Sequence, residues 1–98
     1  MRVLFATAEV APHSKAGGLG DVAGSLPAAL VALGHEVLVV TPWYGRLASG
    51  ARPLWIGDVE VPFDGGTATV GVGTLEERGV RLAFVGHPSF ARERLYGY

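Results

Sequence analysis

The chain contains a single lysine, and that lysine stands beside a cluster of glycines. The stretch Lys15-Ala16-Gly17-Gly18-Leu19-Gly20-Asp21-Val22 holds it, together with three of the fifteen glycines. Every other basic side chain is arginine. A compact ammonium on a flexible stem does what a planar guanidinium does not, so its lone use marks a local need. Glycines beside it let the backbone turn and let a ligand approach with nothing at Cβ in the way. A helix is expected to follow, which would place open N–H groups and the positive end of a helix dipole next to the ammonium. That combination suits phosphate. Lys15, Gly17 and Gly18 are therefore the candidate anion-binding residues. Two acids, Glu9 and Asp21, lie near in sequence, where a carboxylate can either hydrogen-bond sugar hydroxyls or hold Lys15 in place. Plainer readings stand beside these. A loop lysine is by default solvated, glycines often only shape a turn, and an acid is favoured at a helix start whatever the function.

The elements that must position this stretch come before and after it. Residues 2–7, Arg-Val-Leu-Phe-Ala-Thr, form an apolar run without alternation, the pattern of a strand buried on both faces. Residues 8–17 make a long irregular connection, and loops of that length in α/β units tend to carry function. Residues 18–33 read as a helix. Val22, Leu26, Ala29, Leu30 and Leu33 recur at spacings of three and four and predict one apolar stripe, and Gly34 predicts the stop. Pro27 inside the segment predicts a kink near 23–27 or a division into two pieces, the second beginning at about Ser25. Residues 35–41 read as a second buried strand ended by Pro42. Strand, helix and strand make a βαβ unit with parallel pairing.

The second half has a different pattern. Residues 54–56 begin an extended stretch, and Val59, Val61 and Phe63 then alternate with polar or proline positions. Asp64-Gly65-Gly66 signals a tight turn. Residues 67–75 read as the return strand, 76–79 as another turn, and Val80, Leu82 and Phe84 as a further alternating strand. Pro62 predicts a sheet edge or a strand end. The fold class expected is α/β: a Rossmann-like parallel βαβ start followed by an antiparallel β-meander. One helix is too little to cover a sheet of about five strands, and an uncovered parallel sheet is expected to associate with itself or to need more chain.

Composition excludes several classes. At 49% hydrophobic and 17% charged residues, the chain is not of the disordered type. A net charge of −1 gives no basic surface for nucleic acid or for a membrane. The absence of cysteine excludes disulfides and cysteine-ligated metals and fits a cytoplasmic protein. His13, His35 and His87 have no ligand spacing and read as surface or internally satisfied histidines. Trp43 and Tyr44 follow the second strand at the end where α/β ligands gather, and serve either sugar stacking or packing.

Two familiar phosphate motifs do not fit. Gly18-Leu19-Gly20-Asp21-Val22-Ala23 matches the dinucleotide pattern G-x-G-x-x-G/A, but residues 8–17 separate it from its strand, and no acid ends the second strand to hold a ribose. The P-loop lysine follows its glycines, whereas Lys15 precedes them. What remains resembles the amino terminus of bacterial glycogen synthases and plant starch synthases. Ala8-Glu9-Val10-Ala11-Pro12, Lys15 through Val22, Ser25-Leu26-Pro27 and Gly34-His35-Glu36-Val37 follow that family's opening nearly position for position. Arg94-Leu95-Tyr96-Gly97 resembles its pattern further on.

The resemblance implies a GT-B architecture of two Rossmann-like domains. This chain, residues 1–98, would be part of the amino-terminal one, without the carboxy-terminal nucleotide-sugar domain. It implies transfer of glucose from ADP-glucose to the non-reducing end of an α-1,4-glucan, with retention, no metal and no cofactor besides the donor. It implies Lys15 as the catalytic residue and Lys15, Gly17, Gly18, Asp21, Glu9 and Tyr96 as substrate-binding residues. Alone, the chain is expected not to turn over. A stand-alone nucleotide- or glucan-binding module and a dinucleotide-binding oxidoreductase fragment are the rival readings.

Overall fold

The structure is a computed structural model that describes residues 1–15 and 17–90. Five strands form one mixed sheet: β1 (Arg2–Ala6), β2 (Glu36–Trp43), β3 (Leu54–Phe63), β4 (Gly66–Glu77) and β5 (Val80–Gly86). One helix, α1 (Gly18–Ala32), joins β1 to β2, and a short 3-10 turn follows β5. Across the sheet the order is β1-β2-β5-β4-β3. β1 pairs with β2 and β2 with β5 in parallel, while β4 is antiparallel to both of its neighbours. The expected βαβ unit and meander are both present. The meander doubles back so that its last strand docks beside β2.

The two hairpins turn where the sequence places them. Asp64 and Gly65 have φ of 50° and 76°, and Arg78 and Gly79 have 51° and 75°. Each is a pair of left-handed residues, the conformation that matches strand twist in a two-residue loop. Pro62 lies on β3, the edge strand, where its missing N–H breaks no ladder. Pro42 does not end β2, which runs on to Trp43. The Val40 carbonyl faces β1, accepting the Thr7 N–H at 3.0 Å. By alternation Pro42 faces the same side, where β1 has already ended, so its missing donor costs no pairing.

The core lies on one sheet face: Val37, Val39, Val80, Leu82 and Phe84, closed by Val10, Ala23 and Leu47. α1 runs unbroken through Pro27, so the two-piece alternative does not form. The Arg78 guanidinium donates to the Gly24 carbonyl at 2.8 Å, meeting an acceptor in the turn that a proline disturbs. The helix ends in a Schellman pair, His35 N–H to Leu30 C=O and Gly34 N–H to Val31 C=O, with Gly34 at φ 94°.

One expectation about α1 is corrected. Val22, Leu26 and Leu33 face outward, from 41% to 75% exposed. The buried face is made of small residues, Gly20, Ala23 and Pro27. The reason is proximity: a Cβ on Gly24 would lie 2.7 Å from the Ala11 carbonyl oxygen. A helix this close to its own loop presents small side chains in its first turns, while Leu30 of the expected stripe, with Val31, still packs against the core near the helix end. Among the described residues the opposite sheet face carries no helix, and Leu4 on it is exposed, so β1 is not buried on both faces as its apolar run predicts: one face meets the core and the other is uncovered.

Candidate functional site

The irregular segment between β1 and α1 is tightly tied. The Thr7 hydroxyl donates to the Glu9 carbonyl at 2.8 Å. Val10 and Ser14 exchange backbone bonds at 2.7 and 2.8 Å, and the Ala11 N–H donates to the Gly20 carbonyl at 2.9 Å. The Tyr44 hydroxyl donates to the Ala8 carbonyl at 2.7 Å. A loop whose polar backbone is satisfied this fully can hold a side chain in a fixed place.

Glu9 lies at the centre of this segment, 1% exposed. Its Oε1 accepts the N–H of Gly17 at 3.1 Å and that of Gly20 at 2.7 Å. Gly17 is the N-cap of α1 and has no side chain to cap with. Glu9 supplies the cap from eight residues upstream and sets its charge against the positive helix end. It therefore sits beneath the loop as a support. The Gly17 amide points inward to it, and the seat expected from the amides of residues 17 and 18 is narrower by that one donor. Among the described residues, no acceptor meets the N–H of Gly18 or Leu19.

Lys15 lies on the outside of the same turn. Its Nζ is 3.0 Å from Asp21 Oδ1, with the two side chains 49% and 59% exposed. Asp21, in the first turn of α1, thus orients the ammonium at modest energetic gain, about 0–1 kcal/mol for so exposed a pair. The glycines divide into two kinds. At Gly20 an added Cβ would meet Glu9 Oε1 and Lys15 Cγ, both at 3.0 Å. At Gly17 and Gly18 it would meet nothing within 4 Å. Gly17 is extended, with φ −165°, a conformation open to any residue. Among the described residues, packing gives no reason for a missing side chain at these two positions.

The structure therefore brings Glu9, Lys15, Gly17, Gly18 and Asp21 together at one helix end. Tyr96 lies outside the described residues. Trp43 packs edge-to-face on Trp55 and Phe84, at ring centroid distances of 5.3 and 6.2 Å, and the Tyr44 hydroxyl serves the loop. Trp43 thus packs and Tyr44 braces the loop. Among the described residues, no cluster of His, Asp and Glu is arranged to hold a metal ion. Among those residues, too, no helix is long and apolar enough to cross a membrane. His13, expected as a surface or internally satisfied histidine, is the latter, with both ring nitrogens bonded. Gly24 is a support that the sequence marks only faintly, as a glycine one helical turn after Gly20.

Comparison with known proteins adds the family context. A family described as "starch synthase catalytic domain" matches residues 2–98. The chain is 50% identical over 96 residues to a glycogen synthase of Deinococcus deserti, covering 98% of this chain and 20% of that protein. It is 44% identical to the chloroplastic/amyloplastic granule-bound starch synthase 1 of Zea mays, covering 99% and 16%. Among solved structures it is similar to the catalytic domain of starch synthase IV from Arabidopsis thaliana, bound to ADP and acarbose. The TM-score is 0.71 at 35% identity, covering 99% of this chain and 21% of that one. The chain spans about a fifth of the length of these relatives.

Proposed function

Because the chain belongs to the starch synthase catalytic domain family, we propose that its Lys15 loop is the diphosphate-facing edge of a glucosyltransferase site. The reaction would move glucose from ADP-glucose to the non-reducing end of an α-1,4-glucan, with retention and no metal. Residues 1–98 would form the first part of the amino-terminal domain of a two-domain GT-B enzyme in the cytoplasm, and would bind without turning over. Through its uncovered sheet face the chain would pair with a second copy. When the sugar–phosphate bond breaks, negative charge gathers on the departing diphosphate. Without a metal, cationic side chains and peptide N–H groups must stabilise it, and one such donor is worth about 3–4 kcal/mol in the transition state. Lys15, with the amide of Gly18, would supply that stabilisation, and Asp21 would hold the ammonium until the diphosphate replaces it. Glu9 would contribute from beneath by fixing Gly17 and Gly20.

One observation carries this reading: the open, side-chain-free approach at Gly17 and Gly18 beside the sole lysine. Titration of the chain with ADP or inorganic pyrophosphate, followed by calorimetry, is the test. Lys15→Ala is expected to weaken binding at least about tenfold, since a charge-assisted bond to phosphate is lost. Equal affinity of wild type and Lys15→Ala would refute it.

A further inference from the structure

We propose that His13, buried between an exposed Ser49 and a half-buried Glu77, is a positioning residue for the Lys15 loop, acting through a Ser49–His13–Glu77 hydrogen-bond relay. His13 is 2% exposed, and both of its ring nitrogens are engaged. Nδ1 lies 2.7 Å from Ser49 Oγ and Nε2 lies 2.8 Å from Glu77 Oε1. An ionised carboxylate only accepts, so Nε2 carries the hydrogen, and in the neutral ring Nδ1 takes the Ser49 hydroxyl hydrogen. The backbone adds two ties: the His13 N–H donates to Val10 C=O at 3.0 Å, and the His13 C=O accepts from Ala48 N–H at 2.8 Å. The ring also stands edge-on against Phe84, with centroids 6.1 Å apart. One residue thereby fastens the loop before α1 to the segment between β2 and β3 and to the end of β4, two positions from Lys15.

A serine, a histidine and an acid in series also suggest a nucleophile with its base. The surroundings oppose that. Neither His13 nor Ser49 lines the small cavity under α1 or the larger hollow at the foot of the sheet. A nucleophile needs a place for its substrate beside it. The relay instead joins three chain segments and ends at the loop that bears the ammonium. Its role in diphosphate binding rests on the function proposed above, whereas its role in fixing the loop does not.

The single lysine makes the test clean, because a lysine-specific protease has one site, after Lys15. The rate of that cut reports how often the loop opens, and an arginine-specific cut at Arg81 in β5 reports opening of the sheet. His13→Phe keeps bulk and removes both ring bonds. It is expected to raise the Lys15 cut about tenfold while leaving the Arg81 cut within about twofold. His13→Gln keeps an N–H for Glu77 and an oxygen for Ser49, and is expected to return the Lys15 cut to within about threefold of wild type. An unchanged rate in His13→Phe, an equal rise at both cuts, or no rescue by His13→Gln would overturn the proposal. In the same samples, pyrophosphate affinity should fall about tenfold in His13→Phe and recover in His13→Gln. A wild type that does not bind pyrophosphate refutes the diphosphate reading, and the cleavage ratio still decides the relay.

Discussion

A methyl group added at Gly24 and one added at Gly18 should move stability in opposite directions. At Gly24 the new Cβ would sit 2.7 Å from the Ala11 carbonyl oxygen and 3.1 Å from the Ala11 Cβ. Ordinary carbon–oxygen contacts lie at about 3.3 Å or more, so the overlap is about 0.6 Å. The loop cannot easily yield, because Ala11 N–H is bonded to Gly20 C=O at 2.9 Å and Val10 is paired with Ser14. Overpacking of this kind costs about 1–3 kcal/mol. Better helix propensity offsets about 1 kcal/mol of that, leaving a net loss of about 1 kcal/mol. At Gly18 nothing lies within 4 Å of the new atom. Only the backbone-entropy gain remains there, about 0.4–1 kcal/mol in favour of the fold. For a domain of this size 1 kcal/mol moves Tm by about 4–8 °C. Thermal unfolding followed by circular dichroism should therefore place Gly18→Ala above wild type and Gly24→Ala below it. If Gly24→Ala melts as high as Gly18→Ala, the close approach of α1 to its loop is refuted. Gly18→Ala carries a second expectation, weaker pyrophosphate binding in a more stable protein, because the methyl group stands where the ligand is to approach.

Two further substitutions test the support and the exposed face. Glu9→Ala leaves the Gly17 and Gly20 amides without their acceptor and should lower stability by about 1–3 kcal/mol in urea unfolding. Glu9→Gln keeps an oxygen there and should lose clearly less, so equal losses would argue against the cap. Val22→Glu and Leu26→Glu place charge on the outer face of α1 and should change stability by no more than about 0.5 kcal/mol. Neither should change self-association through the uncovered sheet face, and outright unfolding would place that stripe in the core.

Much of the fold was legible because its signals are local. The apolar runs of β1 and β2, the Asp64-Gly65 and Arg78-Gly79 turns, and the Gly34 stop each act within a few residues. The face of α1 was not legible. A period of 3.6 marks a stripe of large apolar residues, but it does not say whether large or small residues face the sheet. Close approach of the loop decided that in favour of Gly20, Ala23 and Pro27, with Ala11 against Gly24 and Glu9 against Gly20. The strand order was hidden for a similar reason, since β5 reaches β2 across the whole of β3 and β4.

The same division holds for the candidate site. Residue types and spacing alone determined that an ammonium, bare glycines and a helix start would meet, because all three lie within one short stretch of chain. Only the tertiary structure decided what each group does there. It turned Glu9 under the helix end, set Asp21 on Lys15, and closed His13 between Ser49 and Glu77. A carboxylate or an imidazole has no fixed role in sequence. Its role comes from which polar groups lie within about 3 Å when water is excluded, and that is settled only by packing.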